Sequence, residues 1–533
     1  MRKSSSKSSL RNVTLTAVAL AASVATASAP VVTTRDGRVR GISSGGIERF
    51  LGVPYAMPPV GDLRWRPPQP HGHWRRVREA TAFANHCPQH ASPFGLASST
   101  EDCLYLNVFR PARDGHDDEE GDQEGDDDRE ERLPVMVWIH GGALLVGESD
   151  DYDPVRLVQH GVVLVTINYR LGALGFLAHP ALTAESDVHA SGNYGLMDQQ
   201  AALRWVERNI ASFGGDLRRV TIFGESAGGL SVHSHIASPL SAGLFHRAIV
   251  QSGAYALSQP SLSDAEAQGQ ALAMRVGCTD QTAACLRATP VATLLDALLV
   301  ATVVPDVDGY VLTQTIGASL ASGQFNRVPV IEGSNHDEWR LFVALNVDLV
   351  TGPLTPEQYT GAIAATLGVP LSTAEFLASF YPVESYPSTD LALSALGTDA
   401  IFACNSRKAV RLLSQYVPTY GYEFNDEDAP QRFLPAVSFP YGSAHASEIQ
   451  YLFGLPATVE APELNAEQRR LSRAMIAYWT SFARTGSPNW FGTPSWPAYD
   501  GASDAMLSLA PPHPALETGF AADHICSLWT PTP

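Results

Sequence analysis

The residues most suited to chemistry lie in the segment Gly-Glu-Ser-Ala-Gly at 224–228, which fits the G-x-S-x-G pattern of a nucleophilic serine. An apolar run precedes this segment and a helix-like run follows it. A serine at such a turn has a strained backbone, and the flanking glycines let strand and helix approach closely. Helix N–H groups and the helix dipole stabilise negative charge there. The pattern predicts that Ser226 is a nucleophile; a helix-capping serine in a glycine-rich turn is the structural alternative.

A second glycine-rich turn follows the apolar run 133–139, where the sequence reads His-Gly-Gly-Ala at 140–143. Small side chains there let backbone N–H groups point into a cavity, as an oxyanion hole requires. One such donor stabilises the transition state of acyl transfer by about 3 kcal/mol. An ordinary turn is the alternative, but the G-x-S-x-G segment downstream favours acyl-transfer chemistry.

An acid and a histidine are expected to follow such a serine in the chain, each at the carboxyl end of a strand. The acid candidates cluster in and just after the predicted strand 328–334 and are Glu332, Asp337 and Glu338. His445 lies in a loop rich in glycine and serine, beyond a later predicted strand, and His336 is a weaker competitor for the base. Composition leaves the three acids and the two histidines open.

The elements around these residues predict an α/β fold. Continuous apolar runs, rather than alternating ones, are typical of parallel strands buried on both faces. The segment 198–215 has helical spacing and a glycine stop, which predicts a crossover helix. Stretches rich in alanine and leucine at about 255–325 and 340–400 predict helical insertions over one edge of the sheet. The predicted strands are 133–139, 161–169, 219–223, 246–253, 328–334 and 419–424.

The N-terminus has the three parts of a secretory signal peptide over residues 1–29: a basic start, an apolar run and an exit of small residues. That run is too short to span a bilayer, and no later stretch predicts a stable membrane anchor. Cleavage is expected between Ala27 and Ala29, with Pro30 making the last position the poorer site. Six cysteines, an even number, agree with a secreted protein and predict up to three disulfides.

The net charge of −19 is unevenly distributed. Twelve acids and one arginine lie in 114–131, so this run contributes −11 and the rest of the chain −8. We interpret the run as a disordered, solvated loop, since it lacks the ligand spacing of an EF-hand calcium site. So acidic a surface argues against nucleic acid as a partner.

Four segments together carry a family resemblance: FLGVPYAMPPVGDLRWRPP (50–68), EDCLYLNVFRP (101–111), NYGLMDQQAALRWVERNIASFGGD (193–216) and FGESAGG (223–229). From about Val31 to Cys526 the chain resembles the type-B carboxylesterases, the carboxylesterase/cholinesterase branch of the α/β-hydrolases. The resemblance implies one α/β-hydrolase domain over 30–533, with the acidic run as an insertion. It implies a secreted serine esterase that acts on small-molecule carboxylic esters without a cofactor or metal. It does not specify an oligomeric state.

The resemblance chooses among the open candidates. The glutamate of the family's N-x-D-E block is Glu338, and the histidine before its E-I-x-Y-x-F-G block is His445. By this pattern Ser226 attacks the ester carbonyl, His445 moves the proton to the leaving alcohol, and Glu338 orients the imidazolium. Glu225 resembles an acidic neighbour that tunes the electrostatics, with a helix-start carboxylate as the alternative. The implied oxyanion donors are the N–H groups of Gly142, Ala143 and Ala227.

Scaffold contacts are implied in the same way. Arg64 and Glu101 fall where the family has a structural ion pair. Closing the first of the implied disulfide loops, between Cys87 and Cys103, stabilises the fold by about 3 kcal/mol in the chain-entropy model. The disulfides implied by the resemblance are Cys87–Cys103, Cys278–Cys285 and Cys404–Cys526.

Three positions depart from the family pattern. Ala143 stands where a third glycine is common, but it keeps its N–H, so we expect little loss of oxyanion stabilisation. Ala446 replaces the glycine that usually follows the histidine. Trp339 replaces a glycine after the acid, and we favour core filling over a reshaped wall as its role.

Substrate and function classes follow from smaller features. Cholinesterases place a tryptophan in the first disulfide loop to bind a quaternary ammonium, whereas this loop has only Phe94, so choline esters are not expected to be preferred. His233 and His235 point to different faces of a predicted helix, and no metal is assigned to them. Lipase, amidase or thioesterase action would use the same triad. Adhesion proteins of the family lose it, and the intact residues here argue against that class.

Overall fold

The apolar runs of the sequence form the parallel centre of one large sheet. The computed structural model describes residues 29–112, 132–297 and 303–530. The predicted signal peptide, apart from its last residue, and the whole acidic run 114–131 lie outside the described residues. The described strands are β1 Val31–Thr33, β2 Arg38–Arg40, β3 Ile42–Ser44, β4 Ile47–Pro54, β5 Arg78–Glu79, β6 Tyr105–Pro111, β7 Leu133–Ile139, β8 Val163–Ile167, β9 Gly215–Glu225, β10 Arg247–Gln251, β11 Val330–Asn335, β12 Thr419–Phe424, β13 Met506–Leu509 and β14 Ala515–Glu517.

Eleven of these strands make the large sheet, in the order β14-β13-β12-β11-β10-β9-β7-β8-β6-β4-β3. All neighbouring pairs from β8 across to β13 are parallel, and the pairs toward both edges are antiparallel. A small second sheet has the order β1-β2-β5. The predicted α/β fold is confirmed, and the architecture is that of an α/β-hydrolase.

All six predicted strands are present, with some ends displaced. The strands β7 and β12 match their predicted runs residue for residue. The strand β8 is shorter than predicted, because Gly161 adopts a φ of 75° in the preceding turn and the ladder begins only at Val163. The strand β9 is longer, since it begins directly after the left-handed Gly214 and continues to the residue before Ser226.

Helices cover both faces of the large sheet. On one face α4 and α5 contribute Trp205 and Leu230 to a core with the side chains of alternate strand residues such as Val137. On the other face α16 contributes Trp479, which shares a core with Trp138. This alternation explains the continuous apolar runs, since both faces of each central strand are buried.

The α-helices among the described residues are α1 Val155–Val158, α2 Gly172–Phe176, α3 Pro180–Ala184, α4 Tyr194–Asn209, α5 Ala227–Ala237, α6 Leu262–Arg275, α7 Ala283–Ala288, α8 Val291–Ala297, α9 Ile316–Ser322, α10 Arg340–Val343, α11 Leu349–Thr351, α12 Tyr359–Leu367, α13 Leu371–Ala378, α14 Thr389–Gly397, α15 Cys404–Leu413, α16 Ala466–Thr485, α17 Phe520–Asp523 and α18 Cys526–Trp529. Two π-helical segments are Ala344–Asp348 and Thr398–Ala403. The predicted crossover helix corresponds to α4, which is continued by the 3-10 turn Ile210–Phe213. Other 3-10 turns are Gly61–Leu63, Pro239–Ser241, Ala254–Ala256, Pro356–Gln358, Val383–Ser385 and Ile449–Tyr451.

The register of the parallel strands aligns their carboxyl ends. Ile139 pairs with Gly224, and the next residue of β9, Glu225, pairs with Gln251. Gln251 in turn pairs with Gly333 of β11. The turns that follow β7, β9, β10 and β11 therefore emerge at one edge of the sheet, which is where open parallel sheets bind ligands.

The helical insertions predicted from composition are present. The second of them has a core of its own, in which Leu341, Ile363 and Leu396 are buried together. Among the described residues, no single helix is long and apolar enough to cross a bilayer. The pair Pro356–Leu367 and Leu371–Ser385 reaches that length and composition only jointly, across a bend of 114°.

The six cysteines form the three disulfides that the family resemblance implied. Their Cα–Cα distances are 5.0 Å, 5.6 Å and 5.2 Å, within the usual range. The ion pair implied between Arg64 and Glu101 is also present, with Nε–Oε2 and Nη2–Oε1 distances of 2.7 Å and 2.5 Å. Arg64 Nη1 donates to the carbonyls of Arg287 and Thr289. This guanidinium therefore ties the first disulfide loop to the segment that follows the second.

Candidate active site

Ser226 occupies the sharp turn between β9 and α5. Its φ of 56° and ψ of −121° place a residue with a Cβ in a strained backbone conformation. The Ser226 N–H donates to the carbonyl of Gln251 at 2.9 Å, which anchors the turn to β10. Gly228 leaves no room for a side chain, because a Cβ there would lie 1.9 Å from the carbonyl oxygen of Ile139. Strand, turn and helix therefore meet as the G-x-S-x-G pattern requires.

Glu338 and His445 are in direct contact at the same edge of the sheet. Glu338 Oε2 lies 2.5 Å from His445 Nδ1. Glu338 Oε1 accepts hydrogen bonds from Ser252 Oγ at 2.5 Å and from the N–H of Asn335 at 2.7 Å. Glu338 is fully buried, and these donors compensate for its lost hydration. The carboxylate thereby fixes the orientation of the imidazole ring.

The other nitrogen of His445 is left without a hydrogen bond to any described residue. Nε2 lies 3.2 Å from Glu225 Oε1 but makes no hydrogen bond within the described ranges. His445, Glu225 and Ser226 line one cavity of about 250 Å³. The structure thus brings the predicted serine, histidine and acid together, with Glu338 hydrogen-bonded to Nδ1 of the histidine and Glu225 as the charged neighbour of its Nε2.

Three buried carboxylates act on the imidazole. Burial lowers the pKa of His445, but the charges of Glu225 and Glu338 outweigh this and raise it to about 9. Burial raises the pKa of Glu225 to about 8, although the charge of His445 opposes the rise. The pKa of Glu448 is also raised, chiefly by burial. His445 therefore binds a proton more firmly than a free histidine, and it becomes available as a base as the pH rises.

The His-Gly-Gly-Ala turn runs beside Ser226. A Cβ on Gly141 would lie 3.2 Å from Ser226 Cβ. Gly142 and Ala143 have φ values of 97° and 56° and line the same cavity. The N–H groups of Gly142, Ala143 and Ala227 donate no hydrogen bond to any described residue. Gly142 and Ala143 carry such an N–H group at the cavity itself, whereas Ala227 is buried next to Ser226.

The competing acids have partners elsewhere. Glu332 Oε2 lies 2.8 Å from His233 Nε2, and both side chains are fully buried beneath the site. Asp337 Oδ2 accepts a hydrogen bond from the N–H of Ser443 at 3.0 Å, so this carboxylate supports the loop before His445. Of the three acids that the sequence left open, Glu338 is the one in contact with the His445 ring.

The competing histidine and the two histidines of the predicted helix have partners of their own. His336 Nδ1 lies 3.3 Å from Asp337 Oδ1, and His336 is not among the residues that line the cavity. His235 Nε2 lies 2.8 Å from Gln199 Oε1, and its Nδ1 lies 3.0 Å from Ser241 Oγ. His233 and His235 thus make separate polar contacts in the core.

Comparison with known proteins decides the family. The family model described as the carboxylesterase family matches residues 28–527. The chain belongs to the carboxylesterase family. The predicted family and fold are confirmed, and the protein is a carboxylic ester hydrolase.

Relatives of this carboxylesterase match along nearly its whole length. The acylcarnitine hydrolase of Mus musculus is 35% identical, over 94% of this chain and 91% of its own. The cocaine esterase of Oryctolagus cuniculus is 35% identical, over 88% of this chain and 90% of its own. The liver carboxylesterase of Sus scrofa is 36% identical, over 89% and 88%.

Sequence reasoning missed several residues that surround the carboxylesterase site. Ser252, which donates to Glu338, is the second-last residue of the predicted strand 246–253, and its position near a carboxyl strand end was the available signal. Glu448 is buried and accepts hydrogen bonds from Gln251 Nε2 at 2.9 Å and Asn335 Nδ2 at 2.8 Å. These contacts join the ends of β10 and β11 to the histidine loop. Glu448 is the first residue of the E-I-x-Y-x-F-G block, and that block was the available signal.

Aromatic side chains pack around His445. The ring centroids of Phe342 and Phe402 lie 5.1 Å and 4.9 Å from that of His445. Trp339 stacks on Phe342 at 4.5 Å and does not line the cavity. Its indole contacts the backbone position of Gly397, where a Cβ would lie 2.3 Å from the ring. Trp339 therefore fills space behind the aromatic wall, in agreement with the core-filling interpretation.

The first disulfide loop is fastened to the glycine-rich turn. Gln89 Oε1 accepts a hydrogen bond from the N–H of Gly147 at 2.7 Å. The Glu148 carboxylate accepts one from the N–H of Leu96 at 3.0 Å. These contacts position Phe94, which lines the cavity. The loop thus supplies one wall of the site.

Both alanines that replace family glycines have left-handed backbones. Ala143 has a φ of 56° and Ala446 a φ of 68°. A Cβ makes this conformation less favourable by about 1 to 2 kcal/mol, whereas glycine adopts it freely. The loop geometry is therefore kept despite the substitution, at a cost in backbone strain on either side of the cavity.

We predict that Ala446→Gly raises the free energy of unfolding by about 0.5 to 1 kcal/mol, because relief of strain exceeds the extra flexibility of glycine in the unfolded chain. Ala477→Gly, within α16, is the control and should lower it by about 1 kcal/mol. Urea unfolding measures both. A destabilised Ala446→Gly variant would contradict the strained geometry.

Proposed function

We propose that this carboxylesterase is an exported serine esterase that hydrolyses small neutral esters through an acyl-enzyme formed on Ser226. One observation carries the proposal: the imidazole of His445 is bound on its Nδ1 side by Glu338, while its Nε2 has no hydrogen bond to a described residue. His445 and Ser226 line the same cavity. A general base needs this arrangement, with one nitrogen held and the other free to take a proton.

In the proposed first half-reaction, Ser226 Oγ attacks the ester carbonyl carbon and its proton passes to His445 Nε2. The tetrahedral intermediate collapses when the carbon–oxygen bond to the leaving alcohol breaks and His445 returns the proton to that oxygen. In the second half-reaction, water attacks the acyl-enzyme in the same way and releases the acid. Glu338 stabilises the imidazolium that forms in both steps.

The developing oxyanion is assigned to the N–H groups of Gly142, Ala143 and Ala227. Support comes from their lack of hydrogen bonds to other described residues and from the cavity that the first two line. Removing one such donor from a related site costs about 3 kcal/mol of transition-state stabilisation. Ala143 contributes its N–H as glycine would, so its side chain does not weaken the assignment.

Small neutral esters fit the cavity. Its volume of about 250 Å³ is modest, and most of its lining is apolar. Phe94, Phe342 and Phe433 supply aromatic surface, and Leu145 and Val146 supply aliphatic surface. Burial of an apolar acyl chain against these residues stabilises the bound ester.

Export is proposed from two features. The first 29 residues have the signal-peptide pattern, and all six cysteines are paired in disulfides. Disulfides persist in oxidising compartments. A secreted protein or one in the lumen of the endoplasmic reticulum has both features, and we propose secretion.

Ser226→Ala tests the proposal. Hydrolysis of p-nitrophenyl esters from acetate to palmitate should be fastest for short acyl chains, and the variant should lose activity by about a thousandfold or more, because the acyl-enzyme cannot form. Ser231→Ala, in which a buried serine of α5 is replaced, is the control and should keep activity. Full activity in Ser226→Ala would refute the role of Ser226 as the nucleophile. A preference for palmitate would indicate a lipase rather than an esterase of short acyl chains.

The pH dependence of kcat/KM tests the proposed role of Glu225. Glu225→Gln removes a negative charge beside His445, so the pKa of the imidazole falls below its value of about 9. The acidic limb of the profile should then move to lower pH, since the neutral base forms earlier. The exposed Glu207 at the end of α4 provides Glu207→Gln as the control, with no shift. An acidic limb that stays in place or moves to higher pH would contradict this role.

A further inference from the structure

A second cluster of polar side chains, two of them buried, includes a residue close in sequence to Glu338. His336 follows β11, Glu423 belongs to β12, and His524 caps the end of α17. One ligand atom from each of these three side chains lies within 4.8 Å of those from the other two. The proposed ester hydrolysis uses none of them.

His524 is held between two carboxylates. Its Nδ1 lies 2.6 Å from Asp399 Oδ1, and its Nε2 lies 2.6 Å from Glu423 Oε1. Asp399 belongs to the π-helical segment Thr398–Ala403, and such segments are common at functional sites. Its carboxylate also accepts a hydrogen bond from Tyr381 Oη at 2.7 Å. A carboxylate on one nitrogen of a histidine is the partner that orients the other nitrogen toward a metal.

His336 also has a carboxylate on one of its ring nitrogens. Its Nδ1 lies 3.3 Å from Asp337 Oδ1, which leaves Nε2 as the ligand nitrogen. Its ring centroid lies 5.3 Å from that of His524. The side chain of His336 is 36% exposed, whereas those of His524 and Glu423 are buried. The cluster therefore has a route for an ion from solvent.

We propose that His336, Glu423 and His524 form a binding site for a divalent transition metal, with Zn²⁺ as the ion they suit best. Two imidazole nitrogens and one carboxylate oxygen are a known ligand set for zinc with an open fourth position. Imidazole nitrogen disfavours Ca²⁺ and Mg²⁺, which take oxygen ligands. Asp399 and Asp337 act as the partners that orient the two imidazoles.

Metal binding replaces an existing contact. His524 Nε2 and Glu423 Oε1, now 2.6 Å apart, would have to separate to admit Zn²⁺ between them, and the proton that they share would be released to solvent. The two nitrogens and the carboxylate then coordinate the ion, and water completes the coordination. Asp337 connects the site to the proposed catalytic residues, since it faces His336 and also supports the loop before His445.

A second three-residue cluster provides an internal comparison. His86 lies 2.9 Å from Glu148 Oε2 and 3.0 Å from Asp150 Oδ1. With one imidazole and two carboxylates, this cluster has fewer ligands of the type that zinc prefers. The proposed site should therefore bind Zn²⁺ more tightly than this cluster does.

Equilibrium dialysis of the purified, chelator-treated protein against Zn²⁺ tests the site. We expect one tight Zn²⁺ per chain, unaffected by excess Ca²⁺. His336→Ala and Glu423→Gln should each weaken binding by more than about tenfold, whereas His86→Ala and the exposed His513→Ala should not. Thermal unfolding of the metal-free variants by circular dichroism checks their folding, and Glu423→Gln decides if His336→Ala does not fold. Absence of tight Zn²⁺ binding, or its loss in His86→Ala alone, would overturn the proposal.

Discussion

The contact between the Glu338 carboxylate and the His445 imidazole is the interaction on which the rest of this site depends. A carboxylate with no solvent exposure is costly to bury unless its oxygens are bonded. Ser252 Oγ and the N–H of Asn335 bond one oxygen, and His445 Nδ1 lies on the other. These donors come from separate turns, so β10, β11 and the histidine loop must be in register for the carboxylate to be satisfied.

The parallel sheet supplies that register and also bears the backbone strain around it. Ser226, Ala143 and Ala446 all have positive φ values, which residues with a Cβ adopt at a cost. Ser226 and Ala143 follow β9 and β7, and these strands are fixed by cores on both faces of the sheet. The cost is concentrated where the chain turns into the cavity. This arrangement keeps the serine, the free N–H groups and the imidazole in fixed relative positions.

Much of the fold and part of the candidate site could be predicted from the sequence, for physical reasons that differ from residue to residue. The central strands were predictable because a strand that is buried on both faces has a continuous apolar sequence, such as 133–139. The position of Ser226 in a turn between strand and helix was predictable because that turn requires glycines at fixed spacing. Glu338 could not be separated from Glu332 and Asp337 by composition, and only the family resemblance favoured it.

The remaining features depend on packing between distant parts of the chain. Ser252 and Glu448 join the site through hydrogen bonds to residues that are distant in sequence, so a local pattern could not identify their partners. Phe402 reaches the His445 ring from a π-helical segment, whose irregular turn has no composition signal. The left-handed backbone of Ala446 was hidden because the sequence has alanine where glycine would have marked the turn.

The most direct measurement of the central claim compares kcat for Glu338→Gln and Asp337→Asn, with an ester that the unaltered protein hydrolyses. Both variants lose one charge and keep their shape. We predict that Glu338→Gln lowers kcat by about a thousandfold or more, because the amide no longer stabilises the imidazolium. Asp337→Asn should stay within about tenfold, since the amide oxygen still accepts from Ser443. The reverse order would contradict the assignment of Glu338 as the partner of His445 in catalysis.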